Sequence, residues 1–199
     1  MQGLSEKGNI TRARIIETAR ELFHKQGVRA TSIDQILGAS GTGKSQFYHY
    51  FSSKEDIVRE VLKFYKDIIE SGQGPVRVDF DSWEGLENYF YDHLRGISMF
   101  NFERACPIGS IGNELASDNE DIRQDVNTVM DISRHKISEF LKSLKKQGRL
   151  KKSADSEALA DFSLASLQGA LLLSKLNKDP KPAENTVKHA LRYLKSFSK

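Results

Sequence analysis

The sequence predicts an all-α fold of about nine helices, with a three-helix N-terminal module that contains a helix-turn-helix and a larger helical body behind it. Three observations predict it. Apolar residues recur at three- and four-residue spacing through most of the 199 residues. Capping residues, glycines and prolines punctuate that pattern at intervals suited to helices. Strand alternation is confined to Val76-Arg-Val-Asp-Phe80, which follows Gly74-Pro75, has no partner run and reads as an extended connector.

Ile15, Ile16, Ala19, Leu22 and Phe23 share one helical face, and Gly27 follows as a stop, so the first helix is expected from about Thr11 to Gln26. Thr31-Ser-Ile-Asp34 reads as an N-cap with an acid three residues on, and Ile33, Ile36 and Leu37 give the second helix its apolar face. Gly38-Ala-Ser-Gly-Thr-Gly43 breaks the pattern before Lys44-Ser-Gln-Phe-Tyr-His-Tyr-Phe51 resumes it. Ser52-Ser-Lys-Glu55 reads as a capping box that opens a longer helix with the stripe Ile57, Val58, Val61, Leu62, Tyr65, Ile68 and Ile69. Ser71-Gly-Gln-Gly-Pro75 ends that helix. Further helices are expected at about Ser82 to Phe100, Pro107 to Ala116, Asp121 to Gln147, Ser156 to Asn177 and Pro182 to Ser198. The domains then run over residues 1–54, with a connecting helix at 54–71, and over 75–199.

Composition narrows the class. With 38% hydrophobic and 29% charged residues the chain is neither disordered nor membrane-embedded in character, and no apolar run approaches the roughly 18 residues of a membrane span. The segment from Met1 to Gly8 lacks the apolar core of a secretory signal, so the cytoplasm is the expected compartment. A single cysteine, Cys106, excludes an internal disulfide and a Cys-rich zinc module; no cofactor or metal is expected. Residues 1–54 carry eight Lys or Arg against four acids, whereas the remainder carries 22 against 23. A basic module on a neutral body suits a protein whose one end meets phosphates.

Gly38-Ala-Ser-Gly-Thr-Gly-Lys44-Ser45 matches the G-x-x-x-x-G-K-S phosphate-loop pattern and raises a nucleotide hydrolase as the alternative. A phosphate loop needs a buried strand feeding it and a later strand ending in Asp to hold magnesium. Ser32 to Leu37 has helical spacing and no such later strand is found, so no enzymatic activity is expected.

As a helix-turn-helix the same residues agree with their neighbours, because Gly41 allows the sharp turn and the following helix presents its first residues to a major groove. Lys44, Ser45 and Gln46 occupy that exposed start, where Lys reaches guanine O6 and N7 and Gln pairs with adenine. Tyr48, His49 and Lys54 supply donors for phosphates, Thr31 a hydroxyl at a helix start, and the turn residues Thr42 and Gly43 complete the expected DNA-binding set. Phe47 and Phe51 face the core.

Arg14-Ile-Ile-Glu-Thr-Ala-Arg-Glu-Leu-Phe23, Gly27, Thr31, Ile36, Gly41 and Phe47-Tyr-His-Tyr-Phe-Ser-Ser-Lys-Glu55 together resemble the tetracycline-repressor (TetR) family of bacterial regulators, over roughly residues 10 to 62. Two departures stand out. Thr42-Gly43 occupies the turn where the family commonly has Val-Ser, and Ser45 takes a glycine's place two residues before Phe47. The resemblance implies a homodimer that binds a pseudo-palindromic DNA operator and releases it when a small-molecule effector fills an all-helical C-terminal domain.

Within that body, residues 80–102 hold seven of the 18 aromatics together with His93. Trp83, Tyr89, Phe90, His93 and Phe100 are the candidate pocket lining. Cys106 stands just ahead of a helix that opens at Pro107, where the helix dipole favours thiolate and makes the residue a candidate electrophile sensor. The Cys106 to Glu114 segment is weakly similar to a branch of the family that includes the repressor of N-ethylmaleimide reductase, and that likeness brings Lys175 near the thiol. The helix from Ser156 to Asn177 is apolar over most of its circumference, so it is expected to be buried on two sides. Phe162, Ala165, Gly169 and Leu172, with Leu191 and Leu194 of the last helix, are the candidate dimer interface.

Overall fold

The computed structural model describes residues 5–199, and the start of the stretch read as lacking a secretory signal, residues 1–4, lies outside them. Nine α-helices follow one another among the described residues: α1 (Glu6–Gln26), α2 (Ile33–Ser40), α3 (Lys44–Tyr50), α4 (Lys54–Ser71), α5 (Trp83–Ser98), α6 (Pro107–Leu115), α7 (Glu120–Lys146), α8 (Ser156–Asn177) and α9 (Lys181–Lys195). The all-α expectation holds. The Val76 to Phe80 segment forms no strand, and the β structure among the described residues is one isolated antiparallel bridge between Leu150 and Ser198.

Helix starts shift from expectation where caps outweigh periodicity. α1 begins five residues earlier than the expected start at Thr11, because Ser5 accepts the Gly8 amide at 3.2 Å and Glu6 lies in the positive first turn. Ser32, not Thr31, caps α2, in a reciprocal box in which Ser32 Oγ accepts from the Gln35 amide and Gln35 Oε1 from the Ser32 amide. The box before α4 is likewise displaced by one residue: Ser53 Oγ accepts from the Asp56 amide, and Asp56 accepts from the amide and hydroxyl of Ser52.

The described residues cluster into two compact units. The first contains everything up to Lys66 together with Pro107–Asn127, and the second contains Asp67–Cys106 with Thr128–Lys199. Residues 107–127, expected with the C-terminal domain, therefore group with α1 to α3. The chain passes between the units within α4, at Cys106–Pro107 and within α7.

The core of the first unit is built by Ile15, Ala19, Phe23, Ile36, Phe47, Phe51, Ile57, Val58 and Val61, each at most 3% exposed. Each large side chain among them contributes about 1.5–3 kcal/mol by leaving water. In the second unit, Leu86, Tyr89, Phe90, Ile137, Leu141, Leu167, Leu171, Val187 and Leu194 centre a continuous core, with Trp83 and Phe80 packed edge-on against Phe140. α8 and α9 form an antiparallel pair there, tied by the Ala183 amide donating to Ser174 Oγ at 3.1 Å.

Candidate nucleic-acid interface

Everything in the α2–α3 turn follows from Gly41. Its left-handed backbone, φ +62°, lets the chain reverse after Ser40, with the Gly41 amide donating to the Gly38 carbonyl and the Thr42 amide to the Leu37 carbonyl. The phosphate-loop match dissolves in this geometry. Gly38 to Ser40 are the last residues of a helix, and a helix rather than a strand precedes the loop.

α3 is anchored by Phe47, fully buried, and by Phe51 at its C-cap, whose rings lie 5.3 Å apart, with the Arg12 guanidinium over Phe51. With those two rings fixed inward, Lys44, Ser45, Gln46, Tyr48 and His49 are all exposed, and Lys54 is half-buried in the first turn of α4. Gly43 caps α3 without a side chain, so the first amides of α3 receive no side-chain oxygen. That is the structural consequence of the departure at Gly43.

Two expected members of the set are corrected. Thr31 is 0% exposed and donates from Oγ1 to the Gly27 carbonyl at 2.7 Å while accepting from Gln26. Thr42 is 9% exposed, and its hydroxyl bonds Ser40 Oγ at 2.7 Å. Their amides are also taken, by Val28 and Leu37 carbonyls. Both threonines shape the motif from inside instead of offering hydroxyls outward.

Sequence reasoning missed a second feature of this unit. Glu114 of α6 accepts the amides of Val28 and Arg29 at 3.1 and 2.7 Å, and the Arg29 guanidinium donates to the Glu114 carbonyl and pairs with Asp118. Arg59 of α4 reaches Asp121 and Asp125 in α7. These partners stand more than 60 residues apart, beyond any local pattern. The available signal was the glycine at 27: its backbone, φ +90° and ψ 162°, is a region occupied essentially by glycine, and a Cβ there would meet Glu114 Oε1 at 2.6 Å.

The expected pocket residues are distributed differently from a single lined cavity. Tyr89 and Phe90 are core residues, and the Tyr89 hydroxyl, bonded to Ser133, is pushed up to about 12 by burial. His93 stacks edge-on with Tyr89, shares Nδ1 with the Tyr89 carbonyl at 2.9 Å, and is held below the ordinary imidazole range by burial. Phe100 lies under the Arg104 guanidinium, 4.1 Å from its ring centroid. Cys106 is half-buried against the core of the second unit, while Lys175 is exposed in the last turn of α8.

On α8 the expected interface residues Phe162, Ala165, Gly169 and Leu172 are exposed, joined by Leu173 and Leu176, the latter 68% exposed. Leu191 and Leu194 are corrected: at 6% and 0% exposure they belong to the core of their own unit. The face that α9 leaves open carries Asn185, Thr186, His189 and Tyr193, which with Phe162 and Ser166 line an open groove of about 590 Å³.

Residues 15–61 match the family of bacterial regulatory proteins named tetR, and residues 83–190 match the tetracyclin repressor-like C-terminal domain. An HTH-type transcriptional regulator in the lacX 3' region of Lactococcus lactis is 30% identical over 178 residues, covering 85% of each chain. The transcriptional repressor DhaR of a Mycobacterium species is 23% identical, over 87% of this chain and 86% of its own. The fold is shared with regulatory protein TetR from Rhodobacter sphaeroides (TM-score 0.82, 23% identity, 92% and 98% of the two chains). It is also shared with reduced NemR from E. coli (TM-score 0.78, 21% identity, 95% and 97%). With both domain matches and a relative at that identity over most of its length, the chain belongs to the TetR family of ligand-responsive, DNA-binding transcriptional regulators.

Proposed function

We propose that the protein is a cytoplasmic homodimeric repressor whose α3 helix enters the major groove at each half of a pseudo-palindromic operator. The observation that carries this reading is the α3 surface. Two buried phenylalanines fix the helix, and the five side chains they turn outward, Lys44, Ser45, Gln46, Tyr48 and His49, are the types that pair with base edges and phosphates. Lys44 and Gln46 are assigned to bases, Tyr48, His49 and Lys54 to the backbone, and Gly43 to close approach at the helix start. The basic bias of residues 1–54 supports the same assignment.

The second copy covers the open face of α8 and the Thr186, His189 and Tyr193 side of α9. Phe162, Leu172, Leu173 and Leu176 form an exposed apolar stripe on a helix whose other side is already core, and a four-helix arrangement of two α8–α9 pairs removes it from water. The effector belongs to the second unit, where α5 and the turn after it carry Trp83, Tyr89, Phe90, His93 and Phe100, with Tyr89 edge-on to the His93 imidazole. Its binding releases DNA by favouring a different half-site spacing, through any of the three chain passages between the units. Cys106 stands at one of these passages, directly before α6. Covalent capture of an electrophile there is the second reading of effector chemistry, supported by the thiol's place before a helix N-terminus.

A footprint on DNA upstream of the protein's own gene tests the reading. Two protected half-sites related by a dyad, one helical turn or a multiple apart, are expected. A single unsymmetric footprint contradicts the dimeric assignment.

A further inference from the structure

One charge segregation in the second unit is used neither by operator recognition nor by effector release. Residues 142–154 and 188–199 hold ten Lys or Arg and no Asp or Glu, whereas the rest of the chain holds 20 basic residues against 27 acidic ones. Folding brings the two stretches together. α7 ends at Lys146, Gly148 turns the chain at φ +74°, and the buried Leu150 forms its bridge with Ser198. The Lys151 amide donates to the Phe197 carbonyl at 2.8 Å, the Lys199 amide to the Arg149 carbonyl at 3.1 Å, and Lys151 Nζ to the Ser196 carbonyl at 2.8 Å.

Part of this charge is already answered. Lys142 pairs with Glu139 and Glu157, Lys195 with Glu87, and Lys145 Nζ donates to the Ala154 carbonyl. Lys146, Arg149, Lys152, Lys188, Arg192 and Lys199 are exposed, and among the described residues none of the six meets a carboxylate. Lys188, Arg192 and Lys195 follow one face of α9 at i, i+4 and i+7 and lead to the turn that carries the others. Like charges gathered this way repel one another, so the patch is completed by an anion from outside.

The surroundings select the class of anion. A membrane-bound helix inserts an apolar face, and that of α9, with Val187, Leu191 and Leu194, is already spent in the core. A protein interface centres on aromatic and aliphatic anchors and is depleted in lysine; the exposed side chains between the cations of the turn are Ser143, Gln147 and Ser153, and the aromatic Tyr193 of α9 packs on Phe162, along the groove. A phosphate backbone asks only for a row of cations, each releasing a condensed counterion. We propose that the α7–α8 turn and the exposed basic face of α9 form a second, sequence-independent surface for the phosphate backbone of double-stranded DNA, additional to the reading by α3.

The test uses the full chain with Lys44→Ala and Gln46→Ala, which removes base reading, titrated into a labelled random-sequence duplex between about 50 and 200 mM salt. Adding Lys146→Glu, Arg149→Glu and Lys152→Glu is expected to lower the remaining affinity about tenfold or more and to flatten the log–log salt slope by about 3. A control with the same change of net charge, Lys136→Glu, Lys178→Glu and Lys181→Glu, is expected to lose far less. Unchanged affinity and slope in the turn variant, or an equal loss in the control, overturns the proposal. So does a changed sedimentation coefficient of the DNA-free turn variant, which assigns the cations to contact between copies, or salt-sensitive binding of the parent to anionic vesicles as tight as to duplex. Because the probe is not an operator, these outcomes do not depend on the repressor reading.

Discussion

Arg29 and Glu114 hold each other from both ends: the Glu114 carboxylate accepts the Arg29 amide at 2.7 Å, and the Arg29 guanidinium returns two bonds to the Glu114 carbonyl, at 3.0 and 2.7 Å. The same carboxylate takes the Val28 amide, so the turn between α1 and α2 is closed by a residue of α6. Two backbone donors of the turn that follows α1 are thereby satisfied by a charged acceptor.

Replacing Glu114 with Ala leaves the half-buried Val28 amide without that partner, and the loss is expected to be about 1–3 kcal/mol in urea denaturation. Asp118→Ala removes an ion pair whose two side chains are 63% and 62% exposed, and is expected to cost less than about 1 kcal/mol. Equal losses from both variants contradict the role given to Glu114.

The glycines at 27 and 41 separate two kinds of cost. Gly41→Ala meets open space and carries only the left-handed backbone penalty, about 1–2 kcal/mol. Gly27→Ala adds the collision with Glu114 to a backbone region that side chains avoid, and is expected to lower the thermal midpoint further. In a Glu114→Ala background the excess cost of Gly27→Ala shrinks, which a double-mutant cycle reads directly.

His93 gives the second unit a pH dependence. Burial holds its folded-state pKa below the unfolded value of about 6.5, so the unfolded chain binds the extra proton first. Stability is therefore full above about pH 6.5 and declines as the pH falls through that value toward the folded pKa. Denaturation midpoints at pH 7 and pH 5 are expected to diverge in wild type and to draw together in His93→Asn.

Phe162 and Leu194 probe two faces that the sequence ran together. Phe162→Asp places a charge on the exposed stripe and is expected to yield folded monomers by sedimentation. Leu194→Ala empties a fully buried site and is expected to cost about 2–5 kcal/mol of stability. A dimeric Phe162→Asp variant contradicts the interface assignment.

The helix-turn-helix was legible because its determinants are local. Gly41, Phe47 and Phe51 act within a dozen residues, and their pattern alone fixes which side of α3 looks outward. Caps were legible to within a residue, since adjacent Thr31 and Ser32, or Ser52 and Ser53, offer the same chemistry and tertiary packing chooses between them. Thr31 departs from expectation for that reason: the hydroxyl that reads as a cap is drawn inward to the Gly27 carbonyl. On α8, apolar residues all around the helix announced two buried sides without saying which belongs to the core. On α9 the reverse held, because Leu191 and Leu194 look like interface residues until Leu171 and Val187 are seen packed in the same core. Glu114 had no legible role, since its partners lie 85 and 86 residues away.

Fluorescence anisotropy of the protein on labelled duplex from upstream of its own gene, against a scrambled duplex and against the Lys44→Ala/Gln46→Ala variant, tests the central claim most directly. Tight, salt-sensitive, sequence-selective binding is expected, indifferent to ATP, with selectivity lost by the variant at unchanged thermal stability and each base contact contributing about 1–3 kcal/mol. Equal preference for the upstream duplex by wild type and variant contradicts the assignment of α3 as the reading element.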